Sequence, residues 1–511
     1  MMQAIDGFLN KITMYRLILY ALTFLALLAA PLSLLDKAPF SVTDLIYSII
    51  AIFTVSFVTN KIFAWAFNAP TNVESVYISS LILVLIITPS TTSDPASYLS
   101  FICWVSALTM ASKYILAIGK KHIFNPVAIA LVIAAFAINE SPSWWVGTSY
   151  MAPFVAVAGF LVVRKIRRTD LVLSFLITAI LAIVISGIIK GSSISPITNI
   201  YRILFQSPVL FLAVFMLTEP LTTPPTRIMR IMYGVIVGLF FIPDIHIGSI
   251  YPTPEIALVL GNIFAYLISP KEKLFLTLKE KLNIATDTYE FSFTGDKKIS
   301  YLPGQYLEWT LKHRDPDSRG NRRYFTIASS PTEDTIKLGI KFYPELSSFK
   351  NKLLFLKQGD TIVASQCAGE FILPKDVNKK LVFIAGGIGV TPFRSMIKYC
   401  IDKNEKRDIV LLYSNKTVDD IAYKNIFDEA EEKLGIKTIY AVTDQGQVLK
   451  EENMRTGFID STFIQKEIPN YKDRIFYISG PHTMVSIFEK TLAEMGIPKK
   501  QIKTDFFPGF A

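Results

Sequence analysis

The chain has 511 residues, of which 51% are hydrophobic and 18% are charged, and its formal net charge is +10. Its three cysteines, Cys103, Cys367 and Cys400, have no paired spacing, which excludes a disulfide framework and any four-cysteine iron-sulfur or zinc site within the chain. The positive charge is accounted for by a membrane orientation bias and a basic soluble surface, and no feature indicates nucleic-acid binding.

The hydrophobic residues are concentrated in the first half of the chain. Ten apolar segments lie there, at 15–35, 42–66, 76–88, 98–118, 126–138, 144–163, 171–189, 208–217, 229–242 and 254–268. Several are shorter than the roughly 20 residues that span a bilayer. The first is longer than the apolar core of a signal peptide and is interpreted as an uncleaved span. The pattern predicts a polytopic α-helical membrane domain over 1–270.

Basic residues lie mainly on one set of alternate loops between these segments. That set comprises Lys11, Arg16, Lys61, Lys120, Lys121, Arg164, Lys165, Arg167, Arg168, Arg227, Arg230, Lys271 and Lys273. The other set carries only Lys37, Lys190 and Arg202. The positive-inside rule then predicts a multi-pass protein of the cell membrane with both termini in the cytoplasm.

Histidine is scarce, with four residues in the whole chain and only His122 and His246 in the apolar half. A pair of stacked six-coordinate haems would need four histidine ligands in that half. Haem is therefore not the expected membrane carrier, and no metal site is predicted.

Two short patterns recur in the apolar half. Segment three ends at ITPSTTSDP (87–95) and segment eight at LTEPLTTPPT (217–226), while FNPVAIALVI (124–133) and PTPEIALVLG (252–261) open segments five and ten. The first and last five segments are therefore predicted to be copies, and because five is odd they have opposite orientations. Paired short, proline-broken segments point to a central binding site. A chance match is the alternative.

Several of these strings carry a family resemblance. Lys113-Tyr114, KHIFNP (121–126), FMLTEPLTTP (215–224) and Tyr233-Gly234 resemble a flavin-carrying membrane component of the sodium-pumping NADH:quinone reductase and its counterpart in the Rnf ferredoxin:NAD complex. The resemblance implies a ten-helix inverted repeat that carries FMN or another flavin and passes electrons within the membrane. The membrane flavin contacts that it suggests are Lys113, His122, Asn125, Ser195, Thr218 and Thr222.

The chain departs from that family at one point. The family attaches FMN to a threonine in an S-G-A-T type motif, whereas the comparable outer loop here reads KGSSISPITN (190–199), with Ser195 as the nearest equivalent. This departure argues against covalent flavin. Lys113 either extends its ammonium to the interface or contacts a flavin phosphate or quinone, and Glu219 either caps a short helix or binds a cation.

After the linker SPKEK (269–273), period-two alternation with Gly and Pro turns predicts an antiparallel β-barrel over 271–375. RRYFTIASSP (322–331), followed by SSFKNKLLFLKQGD (347–360) and GEF (369–371), is similar to the FAD motif of the ferredoxin-NADP reductase superfamily. The resemblance implies that Arg323 contacts the pyrophosphate, that an aromatic ring packs on the flavin, and that the Thr326 hydroxyl bonds the isoalloxazine. The FAD contacts expected from it are Arg323, Tyr324, Phe325, Thr326, Ser347, Ser348, Lys350 and Gly369.

The last part alternates apolar strands with helices near 392–402 and 423–434, which predicts an α/β doubly wound NAD(P) domain over 376–511. In AGGIGVTPF (385–393) a strand ends in glycines and a helix starts at Pro392, so backbone N–H groups can meet a pyrophosphate. A tight structural turn is the alternative. The expected nucleotide contacts are Gly386, Gly387, Gly389, Thr391 and Pro392.

ISGPHTMV (478–485) resembles the superfamily's second nucleotide loop, usually C-G-P. Ser479 replaces the cysteine that lies near the nicotinamide and is, with Thr326, a candidate catalytic residue; Gly480 and Pro481 would contact the nucleotide. Phe506, Phe507 and Phe510 match the aromatic tail that covers the flavin in many relatives, or form an apolar tail packed on the core.

The expected function is transfer of electrons from NAD(P)H through FAD into or across the membrane, to a quinone or an extracytoplasmic acceptor. One alternative is a quinone reductase at the cytoplasmic face with a passive membrane anchor; another is a redox-linked ion or solute transporter. Lys416 either holds the 2′-phosphate of NADPH or is a solvated loop lysine, so NADH and NADPH both remain open. Partner subunits are also open.

Overall fold

The computed structural model describes residues 5, 8–9, 12–67, 73–89, 95–118, 121–191, 194–242, 252–268, 273–313, 317, 321–444, 446–447 and 451–507. The chain divides into two compact units, Met1–Glu272 and Lys273–Ala511. Each unit is described by itself.

In its described residues, the first unit contains helices and one short hairpin, β1 (Ala117–Ile118) and β2 (Lys121–His122). Its helices are α1 (Met14–Leu34), α2 (Val42–Ala66), α3 (Val73–Ile86), α4 (Pro95–Ile115), α5 (Pro126–Ala137), α6 (Ala152–Ile166), α7 (Thr169–Ile189), α8 (Pro196–Phe205), α9 (Val209–Met216), α10 (Arg227–Phe240) and α11 (Pro254–Ile268). The predicted apolar segments fall in these helices, and α8 was not predicted.

Length and hydropathy distinguish the helices of this unit. Among the described residues, α1, α2 and α7 are long and apolar enough to cross a membrane, and α8 with α9, bent by 59°, would form a fourth span. Helices α3, α5 and α11 are shorter and apolar. These helices indicate a membrane protein.

The two proline-led patterns both mark helix starts. Asn125 caps α5, accepting a hydrogen bond from the Ala128 N–H at 3.1 Å, and Pro126 takes the first turn. Helix α11 begins in the same way at Pro254, after Thr253 accepts from the Ile256 N–H at 3.4 Å. Proline suits this position because its fixed φ fits the first turn and its missing N–H would have no helical acceptor there.

The same pattern of contacts between helices occurs in the two halves of the unit. Helix α2 packs on α4 and α7 packs on α10, while α4 contacts α5 and α10 contacts α11. Helices α5 and α11 also pack against each other. In the second half, a Cβ at Gly238 of α10 would lie 2.9 Å from the Phe175 carbonyl of α7, so glycine permits this close approach.

The second unit contains two sheets. The first is antiparallel, in the order β6-β5-β8-β3-β4-β7, and the second is parallel, in the order β12-β11-β10-β9-β13-β14. The strands are β3 (Leu274–Ala285), β4 (Thr288–Gly295), β5 (Tyr306–Thr310), β6 (Arg322–Thr326), β7 (Ile336–Lys341), β8 (Thr361–Ala368), β9 (Leu381–Gly386), β10 (Ile409–Asn415), β11 (Lys437–Val442), β12 (Met454–Thr456), β13 (Ile475–Pro481) and β14 (Ile502–Phe507).

Helices accompany both sheets of this unit: α12 (Ser348–Leu354), α13 (Thr391–Lys403), α14 (Lys424–Leu434), α15 (Ser461–Glu467) and α16 (His482–Glu494). Trp309, Phe291 and Phe293 are fully buried beneath the antiparallel sheet, and Phe383 stacks on Phe393 between β9 and α13 with ring centroids 4.6 Å apart. The antiparallel and doubly wound arrangements agree with the predicted fold, while closure of the first sheet into a barrel stays a prediction.

An ion pair joins the two sheets within this unit. Arg394 of α13 donates to the Ala328 carbonyl at 3.1 Å and to Glu333 Oε1 at 3.0 Å. Ser395 donates to the Ser329 carbonyl at 2.6 Å. Burial alone would raise the pKa of the Glu333 carboxyl, but hydrogen bonding and attraction from Arg394 outweigh it and lower that pKa below its usual 4.5.

We expect this ion pair to make folding of the second unit sensitive to acid. A depressed carboxyl pKa contributes stability that is present above pH 4.5 and is lost as pH falls through the lower folded-state pKa. Glu333→Gln should therefore lower stability at neutral pH and flatten its loss between about pH 5 and pH 3. Denaturant unfolding across that range measures both effects, with exposed Asp334→Asn as the control; an unchanged acid slope would contradict the expectation.

Candidate functional site

Strand β6 lies at the edge of the antiparallel sheet and presents Arg323 to the start of α12. The Arg323 guanidinium lies 5.3 Å from the ring centroid of Phe349, and the Phe325 and Phe349 centroids are 5.8 Å apart. Arg323 and Phe325 share one face because side chains alternate along a strand. The structure therefore brings two predicted FAD residues together at one aromatic ring.

The start of α12 adds polar groups to this region. Ser347 caps the helix by accepting from the Lys350 N–H at 3.2 Å. The Ser348 N–H donates to Asp317 Oδ2 at 3.1 Å, and Arg323 Nη2 lies 3.1 Å from Asp317 Oδ1. Arginine and a backbone amide thus converge on one carboxylate, which shows that this site can hold an anion.

The Lys350 side chain contacts two neighbouring residues of the same sheet region. Its ammonium donates to the Lys341 carbonyl at 2.9 Å and lies 5.1 Å from the centroid of the Tyr343 ring. These contacts direct it towards β7 and Tyr343, and a phosphate contact by Lys350 stays a prediction.

The opposite face of β6 presents Tyr324 and Thr326 beside Tyr306 of β5. The Tyr324 hydroxyl donates to Glu308 Oε2 at 2.8 Å, and the Tyr306 and Tyr324 rings are 5.6 Å apart. Thr326 is buried and pairs with Tyr306 across the strands. Gly369 has a φ of +124°, and a Cβ there would lie 3.2 Å from the Tyr306 ring. Tyr306, which was not predicted, therefore connects three predicted residues.

The two predicted nucleotide loops meet backbone to backbone. A Cβ at Gly389 would lie 2.6 Å from both the Gly480 Cα and the Ser479 carbonyl, and one at Gly386 would lie 2.2 Å from Met484 Sδ. Gly387 has a φ of +52° and open space around it. The loops thus combine a close approach at two glycines with an accessible backbone at a third.

The start of α13 completes the first nucleotide loop. Thr391 donates from its hydroxyl to the Ile388 carbonyl at 3.2 Å, and Pro392 occupies the first turn. Thr391 is buried, so its hydroxyl stabilises the loop. Pro481 directly follows Gly480 at the end of β13 and precedes α16.

Ser479 carries an unsatisfied polar group next to these loops. Its hydroxyl is fully buried and has no hydrogen-bond partner among the described residues. A buried hydroxyl without a partner is costly in a folded protein. The position therefore fits a ligand that supplies a polar group at the end of β13.

The C-terminal aromatic residues lie partly in β14. This strand runs parallel to β13, with Phe506 opposite Gly480 and Phe507 opposite Pro481. The backbone of the predicted tail is thus a strand up to Phe507, beside the second nucleotide loop. Phe510 lies outside the described residues. Lys416 is exposed, and its carbonyl accepts from the Asp444 N–H at 3.0 Å.

The first unit contains a second polar cluster, around Glu219. His122 Nε2 lies 3.2 Å from Glu219 Oε1, and the Asn125 side-chain amide donates to Glu219 Oε2 at 3.0 Å. Asn262 accepts from the Asn125 N–H at 2.7 Å and donates to the Tyr233 hydroxyl at 2.8 Å. These bonds link the residues at the start of α5 to α10, α11 and the turn after α9.

Two of the other residues predicted to contact a membrane flavin lie at or near this cluster. Thr222 lies at this cluster, 3.4 Å from Glu219 Oε2, and Thr218 nearby donates to the Val214 carbonyl at 2.8 Å. A cavity of about 20 Å³ adjoins the cluster, enough for one water molecule. Its lining consists of Lys121, His122, Ile123, Leu221, Thr222, Asn262, Ala265 and Tyr266.

Lys113 and Ser195 make other contacts. The Lys113 ammonium donates to the carbonyl and the hydroxyl of Ser75 in the first turn of α3, each at 3.0 Å. Ser195 caps α8 and accepts from the Thr198 N–H at 3.2 Å. The prediction of a loop through 199 is wrong, because Pro196 starts a helix there.

Some residues of both sites were missed from the sequence. Asn262 and Glu255 are polar residues inside or beside an apolar run, a signal that could have identified them. Glu255 is buried and accepts from the Trp144 indole at 2.6 Å. Asp317 and Tyr306 carry no comparable signal, since their roles depend on neighbours across strands.

Two family models match the chain. Residues 144–273 match the NQR2, RnfD, RnfE family, and residues 383–490 match the oxidoreductase NAD-binding domain. These matches confirm the two resemblances recognised in the sequence, one in the membrane half and one in the soluble half. The chain therefore joins a region of a membrane family to an oxidoreductase-type nucleotide domain.

Curated relatives and solved structures match about half of the chain or less. Flavohemoprotein of Bacillus subtilis (strain 168) is 28% identical over 210 residues, which is 40% of this chain and 51% of the relative. Flavohemoprotein A of Dictyostelium discoideum is 26% identical over 224 residues, or 42% and 54% of the two chains. The chain spans about half the length of these relatives.

One of the solved structures that match is the flavohem-like FAD/NAD binding domain of nitric oxide dioxygenase from Vibrio cholerae O1 biovar El Tor. It is 18% identical, with a TM-score of 0.41, and the match covers 46% of this chain and 98% of that one.

Proposed function

We propose that this chain is a membrane-bound, FAD-dependent NAD(P)H oxidoreductase that passes electrons into or across the membrane, to a quinone or an extracytoplasmic acceptor. Residues 271–375 bind FAD and residues 376–511 bind NAD(P)H. The observation that carries the proposal is the meeting of the two nucleotide loops at Gly389 and Gly480, next to the unpartnered Ser479 hydroxyl near the end of β13.

The soluble residues bind and orient the two cofactors. Arg323 and the Ser348 N–H hold the FAD diphosphate, since both already bind an anionic carboxylate. Phe325 packs against the flavin, and Thr326 donates its hydroxyl to the ring. FAD, when bound, accepts two electrons together and releases them one at a time.

The second nucleotide site uses backbone groups. Because Gly386, Gly387 and Gly389 present no side chains, N–H groups at the start of α13 can approach the NAD(P)H diphosphate. The Ser479 hydroxyl then bonds the nicotinamide amide and positions its ring, which satisfies the buried group.

Anaerobic titration of the purified protein with NADH and NADPH tests this proposal. The flavin absorbance near 450 nm should bleach with one of the nucleotides at stoichiometric amounts, and Ser479→Ala should slow the bleaching by about tenfold through loss of one positioning bond. A protein that binds FAD but is reduced by neither nucleotide would rule the proposal out.

In the membrane unit we propose an inverted repeat of five helices. The first copy is α1 to α5, and the second is α6, α7 and α9 to α11. The recurrence of the second-to-fourth and fourth-to-fifth helix contacts in both halves supports this assignment. With the basic loops on the inside, both termini are cytoplasmic.

The same contacts support a carrier site where the copies meet. His122 and Asn125 come from the first copy, and Glu219, Thr222 and Asn262 come from the second. Polar groups at membrane depth are expensive and usually functional. This cluster is the proposed contact of the membrane flavin or quinone, and it offers amide and carboxylate groups for ring heteroatoms.

Glu219→Gln should slow electron transfer to a quinone without slowing reduction of a soluble acceptor. Reduction of a soluble acceptor such as ferricyanide needs only the second unit and should change by less than about twofold, whereas electron transfer to a quinone in proteoliposomes should fall about tenfold because one charged hydrogen bond is lost. Exposed Glu140→Gln is the matched control. Equal loss of both activities, or of neither, would contradict this role.

Two carboxylates favour a second candidate function, redox-linked ion transport. The partly buried Glu219 carboxylate accepts from the Asn125 amide at the start of α5, and the buried Glu255 lies in the first turn of α11. Carboxylates within membrane segments are typical of ion and proton pathways. Dependence of NADH oxidation on sodium or on an imposed membrane potential would favour this function over simple electron transfer.

A further inference from the structure

The Asp317 carboxylate occupies the anion site of the second unit. Its two oxygens lie 3.1 and 3.3 Å from Arg323 Nη2, and Oδ2 also accepts the Ser348 N–H at 3.1 Å. The Asp317 N–H donates in return to the Ser348 hydroxyl at 2.9 Å, and His313 Nε2 lies 3.0 Å from that hydroxyl. One aspartate thus engages the arginine and the serine that would bind a phosphate.

A carboxylate and a phosphate oxygen compete for the same donors. Each carries negative charge and accepts from a guanidinium and a backbone amide with similar geometry. Arg323 and Asp317 are only 15% and 26% exposed at their side chains, so water screens this pair incompletely. Two anions in such a space repel each other, and the donors cannot serve both fully.

We infer that Asp317 is an internal competitor of the FAD diphosphate, which holds the anion site while FAD is absent and withdraws when FAD binds. The inference rests on the proposed FAD site. Asp317 would then set both the rate and the affinity of FAD binding. When the diphosphate binds Arg323, the protein loses the contact between Arg323 and Asp317, and this loss reduces the net gain in binding free energy. In the free protein, the Asp317 carboxylate neutralises the charge of Arg323.

The test is FAD binding to the full-length protein in detergent after its flavin has been removed. Asp317→Asn keeps the side-chain shape and removes the charge, and Asp317→Ala removes both. We expect FAD to associate about tenfold faster with each variant and to dissociate at an unchanged rate, because the competition exists only in the free state. Asp334→Asn removes one exposed negative charge from the same unit and should leave both rates unchanged.

A second probe separates competition from other effects. Inorganic pyrophosphate should raise the melting temperature of flavin-free Asp317→Asn more than that of the unaltered protein, because its anion site is then open. Unchanged association rates in both variants, or faster dissociation, would overturn the inference; the latter would mean that Asp317 contacts bound FAD. An unaltered protein that binds no FAD would instead refute the proposed function itself.

Discussion

Arg323→Ala is expected to raise the dissociation constant of FAD by about 100-fold, or ~2.7 kcal/mol, and to leave the purified protein largely without flavin. The guanidinium lies against the Phe349 ring and shares the Asp317 carboxylate with the Ser348 N–H. Its loss removes a charge-assisted contact to the diphosphate. Flavin content after gel filtration and equilibrium titration with FAD measure the effect.

The neighbouring arginine is the matched control. Arg322 lies on the other face of β6, with Nη1 3.9 Å from Glu308 Oε1. Arg322→Ala removes the same charge from the same strand and should change FAD affinity by less than about threefold. If the two variants lose FAD equally, the effect belongs to the overall charge of the strand and the assignment of the diphosphate to Arg323 is wrong.

Gly389→Ala should slow reduction of the flavin by NAD(P)H by about 100-fold while FAD stays bound. The new Cβ would lie 2.6 Å from the Gly480 Cα and the Ser479 carbonyl, and both are backbone atoms that can yield only if the loops separate. Separation would move Ser479 and the N–H groups at the start of α13 away from the nucleotide. Stopped-flow reduction gives the rate, and dithionite, which needs no nucleotide site, should reduce the variant normally.

Gly435→Ala controls for backbone strain. Gly435 ends α14 with a φ of +70°, and no heavy atom lies within 4 Å of a Cβ there. This change should lower the melting temperature through left-handed strain of about 1 kcal/mol without altering the reduction rate. A Gly389→Ala protein that is reduced as fast as the control would show that the contact between the loops does not shape the nucleotide site.

Much of the fold follows from local patterns. The proline-led runs at Pro126 and Pro254 are helix starts because proline favours the first turn. Helix α8 was not predicted because Asn199 and Arg202 interrupt its apolar pattern. Ser195 was interpreted as a loop residue, although a serine before a proline is also typical of a helix cap. The strand at Phe506 and Phe507 was missed because aromatic residues near a chain end suit a flexible tail and an edge strand equally.

The sites follow from the sequence only in part. Arg323, Gly389 and Ser479 belong to strings with a recognisable order, whereas Asp317 meets Ser348 across 31 positions of the chain. Asn262 meets Asn125 across 137 positions of the chain. Pairings of this kind arise from tertiary packing, which neither periodicity nor residue type encodes locally.

The function proposed above places a flavin or a quinone in the membrane unit, and the form with a flavin requires a second flavin that receives electrons from the FAD. The most direct test is the flavin content of the detergent-purified chain before and after acid precipitation, with the number of NADH equivalents that it consumes. We expect two flavins per chain, both reducible by the nucleotide, with any acid-resistant portion marking covalent attachment. A single FAD, fully released by acid, would contradict this and leave a quinone reductase at the cytoplasmic face with a passive membrane anchor.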